Sequence, residues 1–146
     1  NKEGGFVGES NGAEIIKKNH TPMVSVASTT VVYDKDLANK ESDHGGLIGW
    51  TSGKTTIENV IMEGTVYSGE SGGGVIGYIE NAEVNISDCI FNGKVAASNY
   101  TAGFMGNSGY NTVFNISNCK NYGSVTGDKY VGGIVGKAKG KTINNT

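Results

Sequence analysis

One short block, spaced almost evenly, constrains this chain more than any other feature. It appears as Gly45-Gly46-Leu47-Ile48-Gly49, Gly73-Gly74-Val75-Ile76-Gly77, Ala102-Gly103-Phe104-Met105-Gly106 and Gly132-Gly133-Ile134-Val135-Gly136. Its second position advances from 46 to 74, 103 and 133, steps of 28, 29 and 30 residues. Two further blocks keep the same register. One runs Ile57-Glu58-Asn59-Val60, Ile86-Ser87-Asp88-Cys89, Ile116-Ser117-Asn118-Cys119 and Ile143-Asn144-Asn145-Thr146; the other runs Gly64-Thr65-Val66, Gly93-Lys94-Val95 and Gly123-Ser124-Val125. An earlier copy, Gly4-Gly5-Phe6-Val7-Gly8, opens a longer first coil over 5–45 with a polar loop at 34–44. The 146 residues read as one repeat domain, 1–146, and as part of a longer array.

Each unit consists of short apolar or β-branched runs broken by Gly, Asn, Asp and Ser, with no sustained 3.6-residue periodicity. The 24 glycines, set against a single proline, fit a chain rich in turns. Propeller blades need roughly 40 to 50 residues, and leucine-rich repeats need an L-x-x-L-x-L core that is missing here. The expected fold is all-β, a parallel β-solenoid of the right-handed β-helix type, with about 29–30 residues per coil and four to five coils.

In such a stack, equivalent positions align at ~4.8 Å from coil to coil, so Leu47/Val75/Phe104/Ile134 and Ile57/Ile86/Ile116/Ile143 should form apolar ladders. Ile48/Ile76/Met105/Val135 is a third apolar column. Neighbouring residues on a strand face opposite sides, so one of the two adjacent columns is expected to face outward or lie under another layer. Asn59/Asp88/Asn118/Asn145 reads as a turn ladder, because Asn and Asp tolerate left-handed backbone. Val32-Tyr33 is expected to match Val66-Tyr67.

These blocks resemble the GLUG repeat of large bacterial surface and secreted proteins, from Gly45 onward with a degenerate copy from Gly4. The resemblance implies a solenoid-like scaffold, an extracellular or cell-surface setting, and the company of adhesins and noncatalytic regions of IgA-specific metallopeptidases. It implies no reaction.

The chemistry in the sequence is sparse. Gly8-Glu9-Ser10-Asn11-Gly12 and Gly69-Glu70-Ser71-Gly72-Gly73 match G-x-S-x-G but precede no helical pattern. Gly49 to Thr55 and Gly136 to Thr142 are one residue short of a phosphate loop and fall at a repeat turn. Cys89 and Cys119 share a column and are expected as packed thiols, with a disulfide as the alternative. His20 and His44, with Asp34, Asp36 and Asp43, outline at most a surface metal site, and the stretch fails the calcium-loop pattern.

No catalytic, cofactor or metal residue is therefore assigned. Trp50 and Tyr78 share a repeat position and are the candidate ligand-facing aromatics, alongside Tyr100, Tyr110, Tyr122 and Tyr130; local packing is the plain alternative. A net charge of −2 gives no footprint for nucleic acid, and no run is long enough for a membrane span. The expected function is a noncatalytic structural or adhesive module of a bacterial surface or secreted protein. Its partners would be flanking repeats and a host or cell-surface protein or glycan. The alternatives are a glycan- or protein-binding module of a secreted metallopeptidase, or a fragment of a β-helical carbohydrate-active enzyme.

Overall fold

A computed structural model describes residues 2–16, 24–32, 42–139 and 142–145. Every regular element among them is a strand, and every strand pairing is parallel. Three sheets run along the stack. The first holds short strands such as Asp43–Gly45, Ser71–Gly73 and Tyr100–Ala102. The second holds Ile48–Glu58 and Ile76–Ser87, and then Met105–Ser108 with Val113–Ser117. The third holds Val24–Val32, Val60–Tyr67, Lys94–Ala97 and Ser124–Gly127.

The chain visits the sheets in that order and lays each visit on the one before, which is a β-solenoid. The continuous stretch 42–139 closes about three turns, fewer than the four to five expected. A Gly-Gly block marks a corner, so counting blocks counts corners and overstates closed turns.

At that corner the rule of alternating faces fails. The Leu47 and Ile48 N–H groups both donate to the Val75 carbonyl, at 3.0 and 3.1 Å. Val75 and Ile76 share the Phe104 carbonyl at 3.2 and 2.7 Å, and Phe104 and Met105 share the Ile134 carbonyl at 3.2 and 3.0 Å. In a regular strand, consecutive N–H groups point to opposite edges. Here they point to the same neighbouring coil, so the backbone has rolled and both side chains turn inward. Leu47, Ile48, Val75, Ile76, Phe104 and Met105 are all buried in a single core. Neither column faces outward in these coils, and among the described residues no extra layer covers one.

The glycines of the block make room for this corner. A Cβ on Gly74 would collide with the Gly103 carbonyl and the Phe91 ring, so the ring fills the space that the missing side chain leaves. A Cβ on Gly77 would lie 2.7 Å from the Gly49 carbonyl oxygen and from the His44 backbone. That contact seats the first sheet directly against the second.

Ile57, Ile86 and Ile116 pair in register and are buried, as expected, and Ile15 joins the column. Ile143 does not: it pairs with Phe114, and Asn145 pairs with Ile116, a shift of two residues. Val31, not Val32, pairs with Val66. The Val24–Val32 pairing carries a register shift between Val26 and Thr29, which block matching does not anticipate.

Asn59, Asp88 and Asn118 have φ of 56°, 53° and 48°, the left-handed backbone read from the sequence, and Asn118 Nδ2 donates to Asp88 Oδ1 at 2.5 Å. A second such ladder joins Asn81 and Asn111, at φ 49° and 52°, where Asn111 Nδ2 donates to Asn81 Oδ1 at 3.1 Å. Gly53, at φ 70°, bends the second sheet in the neighbouring coil, and this is the turn that imitates a phosphate loop.

Burying an isoleucine contributes roughly 1.5–3 kcal/mol, and an unpaired carboxylate in its place adds a desolvation cost. Ile86→Asp should therefore cost about 3–5 kcal/mol and lower the melting temperature sharply. Gly74→Ala should cost about 1–3 kcal/mol through overpacking against Phe91. Lys54→Ala, in an exposed pair 3.8 Å from Glu83, should stay within about 0.5 kcal/mol. Thermal melts followed by circular dichroism check all three, and a wild-type-like Ile86→Asp would contradict the column.

Candidate functional site

Two outward columns run side by side where the first and second sheets meet. On the first sheet, Lys2, Asp43, Ser71 and Tyr100 are in register. On the second, Glu9, Trp50, Tyr78, Asn107 and Lys137 are in register. Contacts stitch the columns into one strip. Lys2 Nζ lies 3.1 Å from Glu9 Oε2 and 4.1 Å from the centre of a Trp50 ring. At the other end, Lys137 Nζ donates to the Tyr100 hydroxyl at 3.2 Å and lies 4.5 and 5.0 Å from the Tyr100 and Tyr130 ring centres. Those two rings are 5.3 Å apart at 31°.

Trp50 and Tyr78 do stack in one column, but both are half-buried. Lys2 covers Trp50, and the Tyr78 hydroxyl packs against Gly109, where a Cβ would collide with it. Among the described residues the exposed rings are Phe6, Tyr67, Tyr110, Tyr122 and Tyr130, and Lys139 lies 5.4 Å from the Tyr110 ring centre. Of these, Tyr110 and Tyr130 stand beside lysines at the Lys137 end of the strip. The sequence carried one sign of it: Tyr100 and Tyr130 both stand two positions before their block, at Ala102 and Gly132.

Tyr130 has a φ of 48°, a left-handed backbone uncommon for a bulky residue and costing on the order of 1–2 kcal/mol. Asn107 Oδ1, between Tyr78 and Lys137 in register, is a buried acceptor with no hydrogen-bond partner among the described residues.

The middle of the strip is acidic. Burial pushes the Asp43 carboxyl up to about 6, against a Ser71 hydrogen bond that lowers it, and Glu70 raises it further. Burial, then Glu80, Asp43 and Glu70, push the Tyr78 hydroxyl up to about 12, so it stays protonated.

Other sequence candidates fall into the framework. Ser10 Oγ meets Thr51 Oγ1 at 2.7 Å, and Thr51 meets Thr55 at 2.9 Å, a hydroxyl chain that ends on the Ala13 N–H. Ser71 is buried and supports Asp43. His44 is buried with Nδ1 2.9 Å from the Tyr67 carbonyl oxygen, away from any surface loop. His20, Asp34 and Asp36 lie outside the described residues. Among the described residues, no three metal-ligating side chains gather. Cys89 and Cys119 are free thiols that donate to the Ser87 and Ser117 carbonyls at 3.1 and 3.2 Å. Contact with Cys119, and then burial, raise Cys89 above the usual thiol range.

No family model, no curated protein and no solved structure matches this chain.

Asp43 yields a prediction with a definite sign. Its folded pKa of about 6 exceeds the ordinary 3.8, so the folded state binds more protons between those values. Stability from this group falls as pH rises through that window and stays reduced above it. Asp43→Asn, which still accepts the Ser71 hydrogen bond, should stabilise the protein at pH 7 by on the order of 1–2 kcal/mol, after allowance for partial exposure. The difference should shrink below about pH 4. Melting curves at both pH values check it; a less stable variant at pH 7 would refute the assignment.

Proposed function

We propose that this chain is a noncatalytic structural and adhesive repeat module of a bacterial cell-surface or secreted protein. One observation carries the reading: the apolar columns and the left-handed Asn/Asp positions recur in register from coil to coil around one shared core. A rod built this way holds its outer residues at fixed spacing, as a stalk or an adhesive surface requires. Exposed tyrosines supply contact area with polar tips. The resemblance of the blocks to GLUG repeats supports the extracellular bacterial setting.

A second reading, a fragment of a β-helical carbohydrate-active enzyme, draws on Asp43. A carboxyl raised to about 6 near Glu70 is the kind of proton donor that glycoside cleavage uses. The two readings separate by assay. Beads coated with the chain should be retained on mucin-coated glass several-fold more than albumin-coated beads, with no reducing ends released from polygalacturonate or xylan at mildly acidic pH. Retention equal to albumin removes the adhesive part. Sugar release that disappears in Asp43→Asn would favour the enzyme.

A further inference from the structure

The two cysteines of the chain stand together. Cys89 and Cys119 occupy one position on adjacent coils, fixed from both sides: Ser87 pairs with Ser117 and Ile90 with Lys120, and the Lys120 N–H donates to the Cys89 carbonyl at 3.0 Å. Coils in register lie ~4.8 Å apart, inside the range of about 4.4–6.8 Å that separates the Cα atoms of a disulfide. The two side chains also lean alike. Cys89 Sγ lies 3.1 Å from the Ser87 carbonyl oxygen and 3.8 Å from that of Ile57, while Cys119 Sγ lies 3.2 Å from the Ser117 carbonyl oxygen and 3.8 Å from that of Ile86. One sulfur is stacked on the other, and the thiols touch.

Packing alone does not call for this pair. Val60 fills the same position one coil earlier and is buried there like Cys89, so a hydrocarbon side chain satisfies the core. Nor does the backbone depend on the thiols as donors. The Ser87 and Ser117 carbonyls already accept from the Asn59 and Asp88 N–H groups at 3.2 and 3.1 Å, so removing both S–H groups leaves neither acceptor idle. The side-chain bond between Asn118 and Asp88 holds the two coils together right beside the sulfurs.

We infer that Cys89 and Cys119 form an oxidisable staple, in which hydrogen peroxide converts the stacked thiols to a disulfide that ties two consecutive coils. The partners have different parts. Their contact raises Cys89 and lowers Cys119, so Cys89 keeps its proton and Cys119 supplies the thiolate. The Cys119 sulfur attacks one peroxide oxygen, the O–O bond breaks, and the departing hydroxide takes up the proton that Cys119 released, leaving as water and a sulfenic acid on Cys119. Cys89 Sγ then attacks Cys119 Sγ. The S–S bond forms, the S–OH bond breaks, and hydroxide leaves with the Cys89 proton as a second water. Two electrons pass from the sulfurs to the peroxide. The bridge closes a loop over one coil, 89–119, and it acts between coils, where a solenoid derives most of its stability. It goes beyond the adhesive reading and does not rest on it.

Treating the native full chain with a slight excess of hydrogen peroxide, followed by a lysine-specific digest without reductant and by thermal melts, tests the staple. The expected product is a monomer in which peptides 55–94 and 95–120 are joined, with the joined pair lighter by two hydrogen atoms than its separate parts. Its melting temperature should exceed that of the reduced chain by about 5 °C or more, and a dithiol reductant should reverse the gain. Cys89→Val and Cys119→Val, which copy Val60, should fold, melt like the reduced wild type and show no gain on peroxide treatment. Peptides that join only after unfolding in guanidinium would overturn the staple, as would bridged dimers in place of the monomer, thiols that stay reduced, or a joined monomer that melts no higher than the reduced chain.

Discussion

A carbonyl that receives two consecutive N–H donors from the preceding coil is the contact on which this structure depends. It occurs at Val75, Phe104 and Ile134, and also at Leu47, which accepts from Phe6 and Val7. Pairing two adjacent donors with one acceptor rolls the backbone out of the pleat. Two neighbouring side chains then enter the core instead of one. The core gains an extra apolar residue per coil, and the chain changes sheet without leaving an N–H unsatisfied. The flanking glycines follow from this, because the rolled backbone passes so close to the next coil and to the Phe91 ring that a Cβ has no room.

Once the corner is set, the remaining turns use a second device. Asn59, Asp88 and Asn118, and separately Asn81 and Asn111, accept left-handed backbone, and side-chain hydrogen bonds join Asn118 to Asp88 and Asn111 to Asn81 across coils. Asn121 shows how the stack handles a polar residue where Met62 and Phe91 stand in earlier coils. Its amide donates to the Gly133 carbonyl at 2.7 Å and accepts from the Gly123 N–H at 2.8 Å, so substitution leaves no buried polar atom of that side chain idle. In a fold where each coil is stabilised mainly by its neighbours, such local satisfaction lets the sequence drift while the stack persists.

The outer strip is a by-product of the same packing. Because the Gly77 position seats the first sheet on the second, outward side chains of both sheets meet along one line. Lysines then lie across aromatic rings, and burial pushes the Asp43 carboxyl up to about 6. Repeat alignment placed Trp50 above Tyr78 and showed that Asn107 and Lys137 follow them. It had no means of showing that Lys2 closes Trp50, or that Tyr100 and Tyr130 come from another sheet to stand beside Lys137. Those relations join residues separated by a corner, whose angle is not written in any one repeat.

The sequence by itself determined the repeat length, the parallel stacking, the Ile57/Ile86/Ile116 ladder and the left-handed turns at Asn59, Asp88 and Asn118. These follow from spacing and from intrinsic backbone preference, which are local properties. Only the tertiary structure decided that both apolar columns of the Gly-Gly block lie inside, that Ile143 pairs two residues out of step, and which aromatic rings remain open. Each of these depends on how one coil meets the next: a shared carbonyl, a slipped register, or a lysine from a neighbouring coil.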